Sequence, residues 1–161
     1  MGIDAPLLFA VVWTLAVLGA GGAVTRPDGS WYRLLAKPAW QPPDWAFAPA
    51  WTLIFVCASA AFVAAWRAAG SGAEQAALAA VYVVNGGLNF LWSLLFFGRK
   101  RPDAALVEIF PLWLSVAAMI VVVSRTAPGW SLLLVPYLAW VTFAAILNRA
   151  IVRLNRPLSE R

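Results

Sequence analysis

The sequence predicts an all-α integral membrane protein in which five transmembrane helices form a bundle and a long folded loop joins the first two. Hydrophobic residues make up 63% of the 161 residues and charged residues only 12%. The mean hydropathy is +0.78, and a soluble domain of this size carries roughly twice the charge. Five apolar segments are long enough to cross a hydrocarbon core as helices. We expect the whole chain, residues 1–161, to form a single membrane domain.

The five predicted helices follow from the apolar runs and the polar breaks between them. Backbone groups in lipid must be paired internally, which favours helices over open strands. Gly and Pro punctuate the three later connections, which are short, so the helices they join should be antiparallel neighbours. The predicted helices cover residues 5–24, 45–69, 73–97, 104–124 and 130–149.

The first connection, residues 25–44, is much longer than the others. A loop of this length is usually functional or disordered. Its aromatic residues argue against disorder, and its prolines stiffen the chain. We therefore expect a folded lid over one end of the bundle. The residues that carry this prediction are Pro27, Pro38, Pro42, Pro43, Trp31, Tyr32 and Trp40.

Basic residues predict the orientation of the chain. Of the 12 lysines and arginines, all but Arg67 and Arg125 belong to the end that receives the first loop, the third loop and the C-terminus. The positive-inside rule places this end in the cytoplasm and the N-terminus outside. Lipid and topology explain the net charge of +5, so no nucleic-acid partner is expected. The residues at the basic end are Arg26, Arg33, Lys37, Arg99, Lys100, Arg101, Arg149, Arg153, Arg156 and Arg161.

The reactive side chains of the sequence exclude several classes of function. There is no histidine, and Cys57 is the only cysteine. We therefore expect no metal site and no cofactor. Neither a catalytic triad, a phosphate-binding loop nor a dinucleotide motif is present. Deep charge pairs typical of ion or proton pumps are also missing from the sequence pattern.

Tryptophans around the start of the second helix form the first candidate site. Trp31, Trp40 and Trp45 fit either a membrane-interface belt or a ligand site. Trp51 lies about two turns into the helix, and Phe55 follows one turn later on the same face. A buried indole N–H needs a partner, so we expect Trp51 to face a ligand.

The third helix carries Asn85, Asn89 and Trp92 on one face, and two interpretations stay open for its amides. They either hold helices together or form the polar wall of a cavity, because an unpaired amide in lipid costs a few kcal/mol. In the fourth helix, Glu108 is either a functional carboxylate or the partner of the basic residues at 99–101, and the sequence favours the pairing.

The fifth helix contains a stripe of aromatic, small and polar residues: Trp140, Ala144 and Asn148. Pro136, one turn before Trp140, is expected to kink the helix. A small residue between Trp140 and Asn148 leaves room for a flat molecule, although plain packing explains the stripe equally well. Together these residues predict an aromatic, nearly neutral cavity beneath a stiff loop with a basic rim, which suits a large planar hydrophobe bearing carboxylates.

Three motifs resemble the translocator proteins, also called tryptophan-rich sensory proteins or peripheral-type benzodiazepine receptors. They are "WYRLLAKPAWQPPDWAF" followed by "PAWTLIF", then "NGGLNFLWSLLFF", then "VPYLAWVTFAAILN". The resemblance extends over essentially the whole chain. It implies a five-helix bundle, a homodimer, and binding of porphyrins such as protoporphyrin IX and of benzodiazepine-type ligands. The implied role is that of a membrane receptor with a regulatory or tetrapyrrole-handling function.

The resemblance also implies which residues line the pocket. Some similar bacterial members degrade protoporphyrin IX under light, and two pocket tryptophans are implicated; here these would be Trp51 and Trp140. The sterol-recognition pattern of animal members is absent from "NRAIVRLNR", so sterol binding through it is not expected and a bacterial inner membrane is favoured. The implied pocket residues are Trp31, Tyr32, Trp51, Phe55, Asn89, Trp92, Trp140 and Ala144.

Overall fold

The protein is a bundle of five membrane-length helices, seen in a computed structural model that describes residues 4–25 and 30–155. This confirms the predicted fold class. The predictions that concern Arg26, Pro27, Arg156 and Arg161 lie outside the described residues. The helices are α1 (Ala5–Val24), α2 (Ser30–Leu34), α3 (Phe47–Ala68), α4 (Gly72–Ser93), α5 (Pro102–Thr126), α6 (Pro128–Ser131) and α7 (Val135–Leu154).

Local sequence signals fix several helix ends. The Ser71 hydroxyl accepts a hydrogen bond from the Glu74 N–H, and the Glu74 carboxylate accepts one from the Gly70 N–H, so two free N–H groups at the start of α4 are satisfied. A wider helical turn over Leu94–Gly98 ends this span. The chain then reverses at Lys100, which adopts a φ of 53°. Pro102 is the first residue of α5, a position where the missing backbone N–H of proline costs no intrahelical hydrogen bond.

The fifth span differs from the prediction at its start. It begins with α6 and a 3₁₀ turn over Leu132–Leu134 before the regular helix of α7. Pro136 lies in the first turn of α7. Because Pro136 has no N–H for the Leu132 carbonyl, that carbonyl accepts from the Val135 N–H in the 3₁₀ turn instead. The irregularity expected from Pro136 therefore lies just before α7. Pro111, by contrast, does lie inside α5.

Hydrogen bonds from aromatic side chains to backbone carbonyls hold α1, α3 and α4 together. The Trp13 indole N–H of α1 donates to the Tyr82 carbonyl of α4 at 2.7 Å. The Tyr82 hydroxyl donates to the Ala58 carbonyl of α3 at 2.8 Å. Trp13 can approach α4 because Gly86 has no side chain at the point of contact. These bonds tie α1, α3 and α4 together around a buried aromatic centre.

The two ends of the bundle carry the charges that the sequence predicts. At one end Asn155, after α7, bonds both the N–H and the carbonyl of Ala36 in the first loop, at 2.9 Å each. The described basic residues of the first loop, of the α4–α5 connection and of the end of α7 share this end. At the other end Arg67 forms a salt bridge with Asp4. The basic end gathers the residues on which the topology prediction depends.

Candidate functional site

An aromatic cluster fills the centre of the bundle beneath the lid. The Trp51 ring stacks on Phe55, with centroids 5.2 Å apart. Its edges meet Tyr137 at 5.9 Å and Trp140 at 6.2 Å in nearly perpendicular geometry. Ala144 packs against the same core one turn beyond Trp140. We call the four rings the Trp51 cluster, and it joins residues of α3 and α7 that are about 90 positions apart in the sequence.

A second aromatic cluster lies on α4 directly under the lid. Trp92 stacks on Phe96 with centroids 5.1 Å apart. Trp31 and Tyr32 of the lid meet the other edges of Phe96 at 6.1 and 6.4 Å. We call these four rings the Trp92 cluster. The structure thus places the lid residues and the α4 tryptophan of the predicted site together.

Two phenylalanines that were not among the predicted site residues lie beside both clusters. Phe47 and Phe143 contact the Trp140 ring at 5.7 and 5.6 Å. Both also pack against the buried core that contains Phe96 and receives Trp92. Trp92 itself makes no ring contact with Trp51 or Trp140 among the described aromatic pairs. The predicted site residues therefore form two aromatic clusters that share a buried core with aliphatic side chains, and we call the two together the aromatic layer, with Trp51 and Trp140 at one side and Trp92 at the other.

The lid is ordered by its own contacts as well as by the bundle. The Lys37 ammonium lies 3.7 Å from the centre of the Tyr32 ring, a cation–π contact. The Gln41 amide donates to the Tyr32 hydroxyl at 3.3 Å. Burial raises the pKa of the Tyr32 hydroxyl, and the nearby Asp44 carboxylate raises it further. Tyr32 is therefore neutral at physiological pH and can donate a hydrogen bond.

The two asparagines of α4 act as links between helices. Asn85 donates to the Ser115 hydroxyl of α5 at 2.9 Å and accepts from the Tyr137 hydroxyl of α7 at 2.9 Å. Asn89 donates to the same Tyr137 hydroxyl at 3.1 Å. Tyr137 is fully buried and belongs to the Trp51 cluster. Both amides therefore link helices. Their hydrogen bonds also hold Tyr137, one ring of the Trp51 cluster, in place.

Asn148, the polar end of the predicted α7 stripe, also serves helix packing. With its amide oriented to satisfy both neighbours, its nitrogen donates to the Pro102 carbonyl at 2.9 Å and its oxygen accepts from the Leu106 N–H at 3.1 Å. It thereby bonds the backbone at the start of α5 and ties α7 to that helix. Its side chain is 1% exposed, so it contributes to the frame of the site.

The expected pairing of Glu108 with the basic residues at 99–101 is wrong. Arg101 pairs instead with Asp103 at 2.7 Å. The Glu108 side chain points into the bundle, where the residue is 7% exposed. Neither of its carboxyl oxygens has a hydrogen-bond partner among the described residues, and neither does the Trp92 indole nitrogen. The sequence signal failed because Glu108 lies on the buried face of α5, while the basic residues precede that helix.

Glu108 and Trp92 lie at the same level on neighbouring helices. Asn85 and Ser115 are hydrogen-bonded between α4 and α5, which are joined by a short connection and run antiparallel. Trp92 lies seven residues after Asn85 on α4, and Glu108 lies seven residues before Ser115 on α5, so both are about 10 Å from the bonded pair in the same direction. Phe96 and Ala105, about one turn further, belong to the same buried cluster. A buried donor and a buried carboxyl are thus available at one depth beside the aromatic layer.

Comparison with known proteins gives the family. The TspO/MBR family model matches residues 7–154. The chain belongs to the TspO/MBR family. It is 39% identical over 142 residues to the tryptophan-rich protein TspO of Chlorobaculum tepidum, covering 88% of this chain and 90% of that protein. It is 39% identical to protein CrtK of Rhodobacter capsulatus, covering 92% of both. The translocator protein of Bos taurus is 33% identical and covers 87% of this chain, with 88% of its own length matched.

Several residues that build the site of this TspO/MBR protein were not selected from the sequence. Tyr137 and Phe143 flank Trp140 at helical spacings of three, a signal that the sequence does carry. Phe96 is one turn after Trp92 and could have been found in the same way. Phe47 precedes Trp51 by one turn. A single rule, that aromatic residues one turn from a predicted ligand-facing tryptophan share its face, would have identified all four.

Proposed function

We propose that this TspO/MBR protein is a membrane receptor that binds a flat tetrapyrrole of the protoporphyrin IX type at the aromatic layer, beneath the lid. Its role would be regulatory or in the handling or transport of tetrapyrroles, and flat benzodiazepine-type molecules would enter the same site. The observation that carries the proposal is the contact of Trp51 with Trp140, which continues through Phe143 to Trp40 of the lid. Stacked and edge-on indoles favour a large planar π-system.

Polar groups beside the layer support a ligand with hydrogen-bonding edges. Burying a polar group without a partner costs about 1–3 kcal/mol. The Trp92 N–H and the Glu108 carboxyl carry this cost in the structure, and a ligand with matching groups would relieve it. The neutral Tyr32 hydroxyl adds a donor on the lid side.

The basic end of the bundle supports a ligand with carboxylates. Arg33, Lys37, Arg99 and Lys100 belong to the lid or to the α4–α5 connection close to it. Positive charge around the mouth of a site attracts anionic ligands and raises the rate of encounter. The propionates of a porphyrin would meet these side chains while the ring stacks on the indoles.

Replacing Trp51 or Trp140 by leucine is expected to weaken protoporphyrin IX binding about tenfold, the loss of roughly one aromatic stacking interaction. Leucine keeps the site apolar but removes the flat ring. Titration of the purified protein in detergent, followed through the porphyrin absorbance, gives the dissociation constant of each variant.

Trp45→Leu is the matched control. Trp45 is 74% exposed, makes no ring contact among the described aromatic pairs, and lies only six residues before Trp51. Its replacement should change the dissociation constant by less than about twofold, as expected for an exposed side chain away from the site. Equal affinity in all four proteins would remove the proposed site. Helix content measured by circular dichroism shows that each variant is folded before titration.

Light-dependent degradation of the bound porphyrin, with dioxygen as the oxidant, is a second candidate function, favoured by the direct contact of Trp51 and Trp140. One indole would donate an electron to the excited porphyrin, which passes it to dioxygen, and the neighbouring indole would share the positive charge; the reduced oxygen species would then oxidise the porphyrin ring. Illumination of the same complexes distinguishes the functions. Equal bleaching in the wild type, Trp51→Phe and Trp140→Phe would exclude the enzyme and leave the receptor intact.

We further propose that the protein resides in a bacterial inner membrane as a homodimer, with the lid and the C-terminus in the cytoplasm. The grouping of basic residues at one end of the bundle supports this orientation. The apolar side chains that α1 presents outward, including Leu7, Val11 and Leu15, supply surface for lipid or for a second subunit.

A further inference from the structure

A groove lies on the outer face of the end of α7, apart from the aromatic layer. Its volume is about 490 Å³, and the lid residue Pro38 forms its opposite wall. The α7 residues on it are spaced as one helical face, while the residues between them, Leu147, Ile151 and Val152, are buried in the bundle. The α7 lining is Ile146, Arg149, Ala150, Arg153 and Leu154.

The groove combines two guanidinium groups with an apolar floor. Arg149 and Arg153 are one helical turn apart and both exposed, so their side chains can converge on one anion. Neither makes a salt bridge within the ranges 4–25 and 30–155. Ile146 and Leu154 expose 56% and 52% of their surface on the same face. An occupant must therefore offer both a negative charge and a hydrocarbon surface.

The depth of the groove places it at the headgroup level of a bilayer. The last span covers 27 residues, Pro128–Leu154, and is about 40 Å long at 1.5 Å per residue. A hydrocarbon core is about 30 Å thick, so the final turns of α7 reach the phosphates. Ile146 lies about two turns deeper than Leu154, within reach of acyl chains.

We propose that this groove is a binding site for an anionic phospholipid. The phosphate lies between Arg149 and Arg153, because guanidinium groups bind phosphate through paired hydrogen bonds. One acyl chain runs past Ala150 to Ile146. A sterol, which is uncharged, would leave both guanidinium groups without a counter-ion. Since Asn155 fastens Ala36 to the end of α7, the bound lipid lies against the attachment point of the lid.

The proposal is tested by native mass spectrometry of protein released from nanodiscs that contain phosphatidylcholine with one tenth phosphatidylglycerol. Wild-type protein is expected to retain phosphatidylglycerol with an enrichment of about tenfold over the bulk lipid, and Arg149→Gln/Arg153→Gln should abolish the enrichment. Arg99→Gln/Lys100→Gln is the matched control: it removes the same charge from the same end of the bundle, outside the groove, and should change the enrichment less than about twofold.

Ala150→Trp separates a built groove from general attraction of lipid by positive charge. This variant keeps both arginines but fills the groove with an indole, and it should lose the enrichment as well. Undiminished enrichment in Ala150→Trp or in the double arginine variant would overturn the proposal. Displacement of phosphatidylglycerol by cholesterol or by millimolar glycerol phosphate would also overturn it. If Ala150→Trp changed only the fraction of dimer, the face would be assigned to a second copy of the chain, and the proposal would again be overturned. None of these outcomes depends on porphyrin binding.

Discussion

Gly86→Leu is expected to lower the free energy of unfolding by about 2–3 kcal/mol, the cost of overpacking a well-filled core. A Cβ at position 86 would lie 2.8 Å from the Trp13 indole nitrogen and 3.1 Å from a Val17 methyl carbon. Trp13 cannot withdraw without breaking its 2.7 Å hydrogen bond to the Tyr82 carbonyl. Denaturation of the detergent-solubilised protein, compared with wild type, measures the change.

Gly87→Leu is the control for the effect of removing a glycine from a helix. No heavy atom lies within 4 Å of the Cβ position at residue 87, so leucine there meets open space. This variant should be as stable as the wild type or slightly more stable, because leucine favours the helix more than glycine does. A loss of stability equal to that of Gly86→Leu would show that α1 does not pack closely against α4.

Tyr137→Phe is expected to lower the free energy of unfolding by about 1–2 kcal/mol. The Tyr137 hydroxyl donates to Asn85 and accepts from Asn89, so its removal leaves both buried amides short of a partner. Hydrogen bonds between membrane helices are worth about 0.6 kcal/mol on average and reach about 1.7 kcal/mol. The same denaturation measurement applies.

Tyr32→Phe is the control for Tyr137→Phe, because it also removes one tyrosine hydroxyl. The Tyr32 hydroxyl has one long bond of 3.3 Å from Gln41 and lies at the lid, near the aqueous end of the bundle. Its loss should change stability by less than about 0.5 kcal/mol, because only this one weak hydrogen bond is removed while the half-buried ring stays in place. Equal effects of the two Tyr→Phe changes would contradict the role of Tyr137 as the buried link between α4 and α7.

The fold could be predicted from sequence because lipid imposes a simple rule. Backbone groups must be paired within each span, so length and hydropathy are enough to locate α1, α3, α4, α5 and α7. Helix ends were harder to place. Leu132–Leu134 form a 3₁₀ turn in which the Leu132 carbonyl accepts from Val135. The apolar residues themselves also suit an α-helix, and the only local signal is Pro136, which cannot bond that carbonyl.

The site was predicted where helical spacing alone decides which residues share a face. Trp51 and Phe55 illustrate this, since they are one turn apart and stack. Long-range partners were not accessible in the same way. That Tyr137 meets both asparagines depends on how α7 is rotated against α4, and that Glu108 points inward depends on the rotation of α5. Packing of whole helices sets both rotations, and no local motif encodes them.

Fluorine NMR of protein labelled with 5-fluorotryptophan tests the central claim that the indoles of the aromatic layer surround one flat ligand. Each resonance is assigned by replacing one tryptophan with phenylalanine, and protoporphyrin IX is then added. The porphyrin ring current is expected to move the resonances of Trp51, Trp92 and Trp140 and to leave that of Trp130 unchanged, because Trp130 precedes the 3₁₀ turn at the far end of the last span. Movement of Trp45 or Trp130 with Trp51, Trp92 and Trp140 unmoved would contradict it.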